Sequence, residues 1–227
     1  MRHRELLKRV SIFSDLDDEA LRGLERLAFE KSYPRDSLIV GQQDPGDALY
    51  IVCSGKVKVV LYGDSGREVI LSLFNPGDFF GEMALLDNQP RSANVIAVVP
   101  STLLVLERRA FAEHLERHPR TALKVLAEMS RRLRRADSAI GDLALLDVFG
   151  RVARYLRELA EAEGEKSEGC VIIRNRPPQQ EIASMIGTSR ETVSRALSEL
   201  QRRGVLEMSG RRIVLFEGFS VPEASKA

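Results

Sequence analysis

Apolar positions fall into distinct textures along the 227-residue chain. Near the start, Ile12, Phe13, Leu16, Leu21, Leu24 and Leu27 form an amphipathic stretch that predicts one or two short helices. From about residue 29 to residue 107, short runs of Val, Ile, Leu and Tyr alternate with Gly, Asp and Pro turns. These runs predict strands at 38–40, 48–53, 57–62, 68–74, 93–98 and 102–106. In Val57-Lys58-Val59-Val60-Leu61 the apolar residues partly alternate, as a half-buried strand requires. Gly63-Asp64-Ser65-Gly66 between two such runs reads as a hairpin turn. Many short strands at this spacing build a β-sandwich or jelly roll.

After Pro119 the period becomes helical. Leu126, Met129, Leu133, Ala136, Ile140 and Leu143 follow a 3-4-3-4-3 spacing, with Lys124, Glu128, Arg131, Arg132, Arg134 and Arg135 between them. That is a heptad seam. A helix of this length beside a complete β-domain either packs inward on it or pairs with a second copy, and the regular seam favours the second copy, a homodimer. A further helix is expected at 145–161, a polar loop at 161–168, a strand at 171–174, then two helices and a terminal hairpin. The expected fold class is α+β in three parts: a β-roll over 1–119, a dimerisation helix over 120–146 and a small helical domain over 147–227.

Composition narrows the classes of function. The chain is 44% hydrophobic and 30% charged, an ordinary balance for a globular protein. No apolar run approaches the roughly 18 residues needed to span a bilayer. The opening residues are basic with no apolar stretch behind them, which is not a secretory pattern, so no membrane and a cytoplasmic location are expected. Cys53 and Cys170 are too few for a disulfide framework or a four-thiolate metal or cluster site, and both read as buried small hydrophobes. Net charge is only +1, yet residues 169–216 hold eight Arg, no Lys and four Glu. Arginine enrichment on one small module fits phosphate or base recognition. A solvated basic face fits as well, and charge alone does not choose.

Two motifs carry chemistry. The first runs from Gly81 through Glu82, Met83 and Ala84 to Arg91, Ser92 and Ala93. Gly81 permits close backbone approach and unusual dihedrals. The residues after it can form a short helix whose N–H groups point at an anion. Glu82 offers a carboxylate for a ribose hydroxyl, Arg91 a planar fork for a phosphate, and Ser92 a hydroxyl donor. Together they describe a phosphate–ribose clamp, against the plainer reading of a surface loop with an Arg–Glu ion pair. The segment resembles the phosphate-binding cassette of cyclic-nucleotide-binding domains, and the resemblance extends through Gly41, Gly55, Gly66, Asn75-Pro76-Gly77-Asp78 and Phe80.

The second motif runs from Pro178 to Leu200. Pro177 or Pro178 can open a helix with Ile182, Ala183 and Ile186 on its inner face. Gly187 permits a sharp turn and Ser189 is a good N-cap for a second helix. On that helix Val193, Ala196, Leu197 and Leu200 point inward, leaving Arg190, Glu191, Ser194 and Arg195 on the outer side, where a recognition helix meets base edges. Residues 207–216, with Arg211 and Arg212, read as a β-hairpin wing.

With both motifs the chain resembles the cyclic-AMP receptor protein/FNR family over nearly its whole length. The resemblance implies a cyclic-nucleotide-binding jelly roll, a dimerisation helix and a winged helix-turn-helix domain. It implies a homodimer on double-stranded DNA, with RNA polymerase as a partner and cyclic AMP as the first-choice effector. Arg190, Glu191 and Arg195 match the family positions that read G·C pairs, Ser194 is the residue that FNR-type members carry, and Arg211 and Arg212 are placed on phosphates. Arg132 and Ser72 match positions near the ligand. Where the receptor-protein pattern presents adjacent Thr and Ser to the adenine, this chain has Ala136 and Asp137. The alternative is therefore the same fold answering to cyclic GMP or a cyclic dinucleotide, or acting without a ligand. The iron–sulfur cysteines of FNR-type oxygen sensors are absent. A regulatory subunit acting on an enzyme is a further reading, against which the helix-turn-helix speaks. His114 and His118 could hold a metal, but no third ligand follows, and a solvated helix end is expected. No phosphate-binding Walker loop, nucleophile elbow or nucleophile–base set is present, so neither catalytic residues nor a resident cofactor or metal is expected.

Overall fold

Alternating side chains place the middle strands of the first half between two cores. The structure, a computed structural model, describes residues 2–219; Met1 and residues 220–227, the outer ends of the first and last expected parts, lie outside the described residues. In chain order come α1 (Arg2–Arg9), a 3-10 turn (Ser11–Phe13), α2 (Asp18–Leu27), β1 (Ala28–Tyr33), β2 (Leu38–Val40), β3 (Ala48–Ser54), β4 (Val57–Tyr62), β5 (Glu68–Phe74), β6 (Phe79–Phe80), α3 (Glu82–Asp87), β7 (Asn94–Ala97), β8 (Ser101–Glu107), α4 (Arg108–Arg117) and α5 (Pro119–Leu145). The strands form two antiparallel sheets, ordered β1-β8-β3-β6 and β2-β7-β4-β5. Along β3 and β8 successive residues turn to opposite faces. Tyr50, Val52, Leu103 and Val105 fill the space between the sheets. Leu49, Ile51, Leu104 and Leu106 meet Phe13, Leu21, Phe111 and Val125 on the other side. Both faces of these strands are therefore covered, which is why their sequences read as nearly continuous apolar runs.

The chain divides into two compact units within α5, between Leu133 and Arg134. In its first half α5 buries Thr121 and Val125, and Met129 packs against the helix-side core. Leu126 and Leu133, of the expected seam, are exposed there.

The second unit continues α5, with Ile140 and Leu143 exposed, into α6 (Val148–Glu163), β9 (Glu165–Ser167), β10 (Cys170–Ile173), α7 (Gln179–Ile186), α8 (Arg190–Arg202), β11 (Leu206–Ser209) and β12 (Arg212–Phe216). The sheet order is β11-β12-β10-β9. Asp147 caps α6 by accepting from the Gly150 N–H at 2.7 Å, so this helix starts three residues later than its apolar pattern suggests. The expected polar loop contains β9, whose three residues are all exposed and whose Glu165 pairs with Arg174. Val152, Leu156, Ile173, Val193, Leu197 and Ile213 form the core of this unit.

Two expectations are corrected. His114 is not at a solvated helix end. It is 6% exposed, edge-on to Phe13, stacked on His118, and its Nε2 lies 3.2 Å from the Thr121 hydroxyl. Burial, with the neighbouring His118, lowers its pKa from 6.5 to about 4. Cys53 and Cys170 form no disulfide with each other and are half-buried rather than buried. No helix among the described residues is long and apolar enough to cross a membrane.

Candidate functional site: a buried ion cassette and an exposed helix

Gly81 turns the chain from β6 into α3 with φ 90° and ψ 1°, the left-handed region. A Cβ at this position would lie 2.6 Å from Arg91 Nη1 and 2.9 Å from the Ala48 carbonyl, so glycine is needed for both conformation and space. The next residue, Glu82, is 2% exposed. Its Oε1 accepts from Arg132 Nη1 at 2.8 Å, while Oε2 is buried without a partner among the described residues. Arg91, 4% exposed, folds back across the same turn. It donates from Nη1 to Gly81 O and from Nη2 to Ala48 O, both at 2.9 Å, and lies 3.4 Å from Asp47. Arg91 Nε is buried and has no partner among the described residues.

Arg132 reaches this place from α5. It donates to the Phe79 carbonyl at 2.7 Å, lies 3.4 Å from Glu128, and sits over the rings of Phe74 and Phe79. Phe74, Phe80 and Tyr50 stack in near-parallel planes behind the turn. Burial, followed by the neighbouring Tyr33 and Asp47, raises the Tyr50 hydroxyl pKa against the pull of Arg91.

The structure thus brings Gly81, Glu82, Arg91 and Arg132 together. Leaving a buried polar atom unpaired costs about 1–3 kcal/mol. A buried, unpaired carboxylate oxygen and a buried, unpaired guanidinium N–H at the same turn suit a molecule that donates a hydroxyl and presents an anion. Of the other expected residues, Ala84 is buried against Gly46, Met83 and Ser92 are exposed, and the Ser72 hydroxyl turns back to the Leu71 carbonyl. Ala136 and Asp137 are exposed on the part of α5 that belongs to the second unit. Sequence reasoning passed over Asp47, Ala48 and Glu128, whose partners lie 44, 43 and 4 residues away. Glu128 is helix-adjacent to Arg132, which is a readable i,i+4 signal. The other two leave no local pattern.

In the second unit α7 ends at Gly187 (φ 68°) and α8 begins at Ser189, whose hydroxyl accepts from the Thr192 N–H at 3.2 Å. Val193, Ala196, Leu197 and Leu200 are buried as their spacing requires. Arg190, Glu191 and Arg195 are exposed on the first turns of α8, and Ser194 is half-buried. Glu191 is held below the usual carboxylate range by its own N–H and the Ser189 hydroxyl, then by Arg190 and Arg195. β11 and β12 form the expected hairpin, with Arg211 and Arg212 exposed at its turn. Among the described residues no group of three or more His, Cys, Asp or Glu could hold a metal ion.

Comparison with known proteins agrees with this division. The family model of the cyclic nucleotide-binding domain matches residues 30–118, and that of the Crp-like helix-turn-helix domain matches residues 150–217. A CRP-like cAMP-activated global transcriptional regulator from Mycobacterium tuberculosis is 33% identical over 211 residues, 93% of this chain and 94% of the relative. The cAMP-activated global transcriptional regulator CRP of Escherichia coli O157:H7 is 34% identical over 187 residues, 81% of this chain and 88% of the relative. The solved structure of the c-di-GMP responsive global regulator CLP of Xanthomonas campestris superposes with a TM-score of 0.75 at 27% identity, covering 88% of this chain and 99% of that one. A jelly roll with a cyclic nucleotide-binding signature, a long helix and a Crp-like winged helix-turn-helix, matched over nine-tenths of its length by such a regulator, place the chain in the cyclic-AMP receptor protein/FNR family of transcription regulators.

Proposed function

We propose that the chain is a homodimeric DNA-binding regulator in the cytoplasm whose affinity for an inverted-repeat operator is set by a cyclic nucleotide held at Gly81, Glu82, Arg91 and Arg132. The observation that carries the reading is the Glu82 carboxylate: almost fully buried, gripped on one oxygen by Arg132, unpaired on the other among the described residues, and next in the chain to Gly81, whose carbonyl the buried Arg91 holds. A ribose hydroxyl would donate to Glu82 Oε2. Arg91 would exchange its carbonyl partners for the cyclic phosphate, with Ser92 adding a hydroxyl, while the backbone of Met83 and Ala84 lines the turn and Ser72 lies on the neighbouring strand. Arg132 belongs to α5, so a ligand that alters Glu82 also acts on the helix that runs on to α6.

The exposed Leu126, Leu133, Ile140 and Leu143 repeat at heptad positions and would be covered by the same helix of a second copy. In this reading residues 1–119 are the sensing β-roll, 120–146 the dimerisation helix and 147–227 the DNA-binding domain. Arg190 and Arg195 read guanines and Glu191 a cytosine of a TGTGA-like half-site, Ser189 and Ser194 flank them, Arg211 and Arg212 hold phosphates, and RNA polymerase is the partner at the promoter. Cyclic AMP is the first-choice effector. Ala136 and Asp137 favour a second reading: Ala136 offers no hydroxyl and Asp137 only an acceptor, which weakens adenine selectivity and opens the site to cyclic GMP or cyclic di-GMP.

Calorimetric titration with cyclic AMP, cyclic GMP and cyclic di-GMP tests both readings. We expect one of them to bind, and Arg91→Ala to weaken it about ten- to a hundredfold, the loss of a contact worth roughly 1.5–3 kcal/mol. Binding by none of the three, or by Arg91→Ala with unchanged affinity, refutes the assignment of the cassette.

A further inference from the structure

The helix that carries Glu82 is six residues long, and its last carbonyls have no partner within the helix. One side chain takes up two of them. Arg108, the first residue of α4, donates from Nη2 to Ala84 O at 2.8 Å and from Nη1 to Leu85 O at 3.2 Å. Nη1 also donates to the side-chain oxygen of Asn88, the left-handed residue that closes α3, at 2.6 Å, and Nη2 reaches the Gly46 carbonyl. The Arg108 N–H donates to Asp47 O at 2.7 Å. Gly46 is also the seat of the helix, since a Cβ there would lie 2.2 Å from the Ala84 methyl.

Both ends of α3 are therefore fastened to the same segment, residues 46–48. Arg91 ties Gly81 O to Ala48 O at one end, and Arg108 ties Ala84, Leu85 and Asn88 to Gly46 at the other. Arg132 holds the carboxylate head of Glu82, the Phe79 carbonyl and Glu128, and among the described residues no bond from it to the backbone of α3 is seen. An Arg91 that turned to an anion would loosen its carbonyl contacts, and the first fastening would weaken at the moment of binding.

We infer that Arg108 is a positioning residue of the nucleotide site: without touching the ligand, it keeps α3, and with it Glu82, in place while Arg91 is engaged by the phosphate. The inference rests on the cassette being the nucleotide site. A guanidinium fork spans these acceptors at once, whereas a lysine offers a single point charge.

The test is cyclic-nucleotide titration of the full chain, with cyclic AMP as probe, or cyclic GMP or cyclic di-GMP where the wild type binds that instead. It compares wild type, Arg108→Ala, Glu82→Gln, their double variant, and Arg109→Ala as a control on the exposed neighbour. Thermal melts fix an assay temperature at which each is folded. Arg108→Ala should lose roughly ten- to a hundredfold in affinity, by analogy with the loss seen when the partners behind a metal ligand are removed. Most of that loss should vanish in the Glu82→Gln background, because Arg108 acts through Glu82. Arg109→Ala should bind as wild type. A residue needed only for folding lowers the melting temperature and leaves the affinity of the folded protein unchanged; that result, or an equal loss in both backgrounds, overturns the inference. If Arg108→Ala does not fold, Arg108→Lys is read by the same criteria. Failure of the wild type to bind any of the three probes overturns the cassette assignment and this inference with it, whereas an Arg108→Ala protein of wild-type affinity beside a weakened Arg91→Ala overturns this inference alone.

Discussion

Replacing Gly81 by alanine tests the cassette where conformation and contact coincide. The residue sits at φ 90°, where an L-residue pays about 1–2 kcal/mol. The added methyl would also lie 2.6 Å from Arg91 Nη1 and 2.9 Å from the Ala48 carbonyl. Ala48 is main chain in a strand paired on both sides, so the arginine tip must give way and lose its bond to Gly81 O, a charge-assisted contact worth about 1.5–3 kcal/mol. About 2.5–5 kcal/mol of local stability should be lost in all. Gly66 supplies the control: its φ is 75°, but nothing lies within 4 Å of a Cβ placed there, so Gly66→Ala should cost only the backbone strain, about 1–2 kcal/mol. Hydrogen exchange on the full chain, read by mass spectrometry over 79–92 and β3, separates the two. Gly81→Ala should speed exchange in both segments and lower nucleotide affinity, while Gly66→Ala should affect only the β4–β5 hairpin. Equal protection of residues 79–92 in Gly81→Ala and wild type would refute the steric argument.

Leu133→Glu places a charge in the exposed seam and should give monomers by light scattering that no longer bind operator; a monomeric wild type at micromolar concentration refutes the seam. For His114 the pKa is depressed on folding, so the unfolded chain binds the proton first as pH falls from 6.5 towards 4. Its contribution is complete above pH 6.5 and declines through that window by at most about 1.4 kcal/mol per pH unit. Denaturant melts should therefore show a shallower acid slope for His114→Gln than for wild type, and identical slopes count against the buried neutral imidazole. Arg190→Ala should cost about 1–3 kcal/mol per half-site and relax selection at one G·C pair, whereas Arg212→Ala should weaken all duplexes alike and reduce the salt dependence. Recovery of an unchanged consensus at unchanged stringency by Arg190→Ala in a random-duplex selection excludes base reading by that residue.

What was legible in the sequence follows from burial. β3, β8 and α8 are read correctly because one or both faces meet a core, so apolar period and fold agree. The edge strands β1 and β9 escaped the pattern: four of six residues of β1 and all three of β9 are exposed, so main-chain pairing defines them more than any apolar period. α1 hid because Arg2, His3, Arg4, Glu5, Lys8 and Arg9 outnumber the apolar residues that anchor it. In the proposed cassette, residue types and their order singled out Gly81, Glu82 and Arg91, which the fold brings together. Arg108 and the 46–48 anchor were silent, because their contacts run to carbonyl oxygens and the backbone carries no residue identity. His114 misled for a related reason, since its burial depends on Phe13, a hundred residues earlier.

That reliance on carbonyl acceptors has a consequence for how the cassette can change over evolutionary time. Two arginines hold α3 through the main chain at Gly46, Ala48, Gly81, Ala84 and Leu85, so the helix's outward side chains carry little of the fastening. Met83 and Leu86 are 44% and 46% exposed and are free to drift in identity without dislodging Glu82. Length is another matter. Inserting or deleting one residue between Gly81 and Ala84 would rotate the Ala84 and Leu85 carbonyls away from Arg108, and one between Asn88 and Arg91 would shift the Arg91 fork off Gly81 and Ala48. A saturation library across 81–92 should accordingly tolerate most substitutions at Met83 and Leu86, and reject nearly every single-residue insertion or deletion.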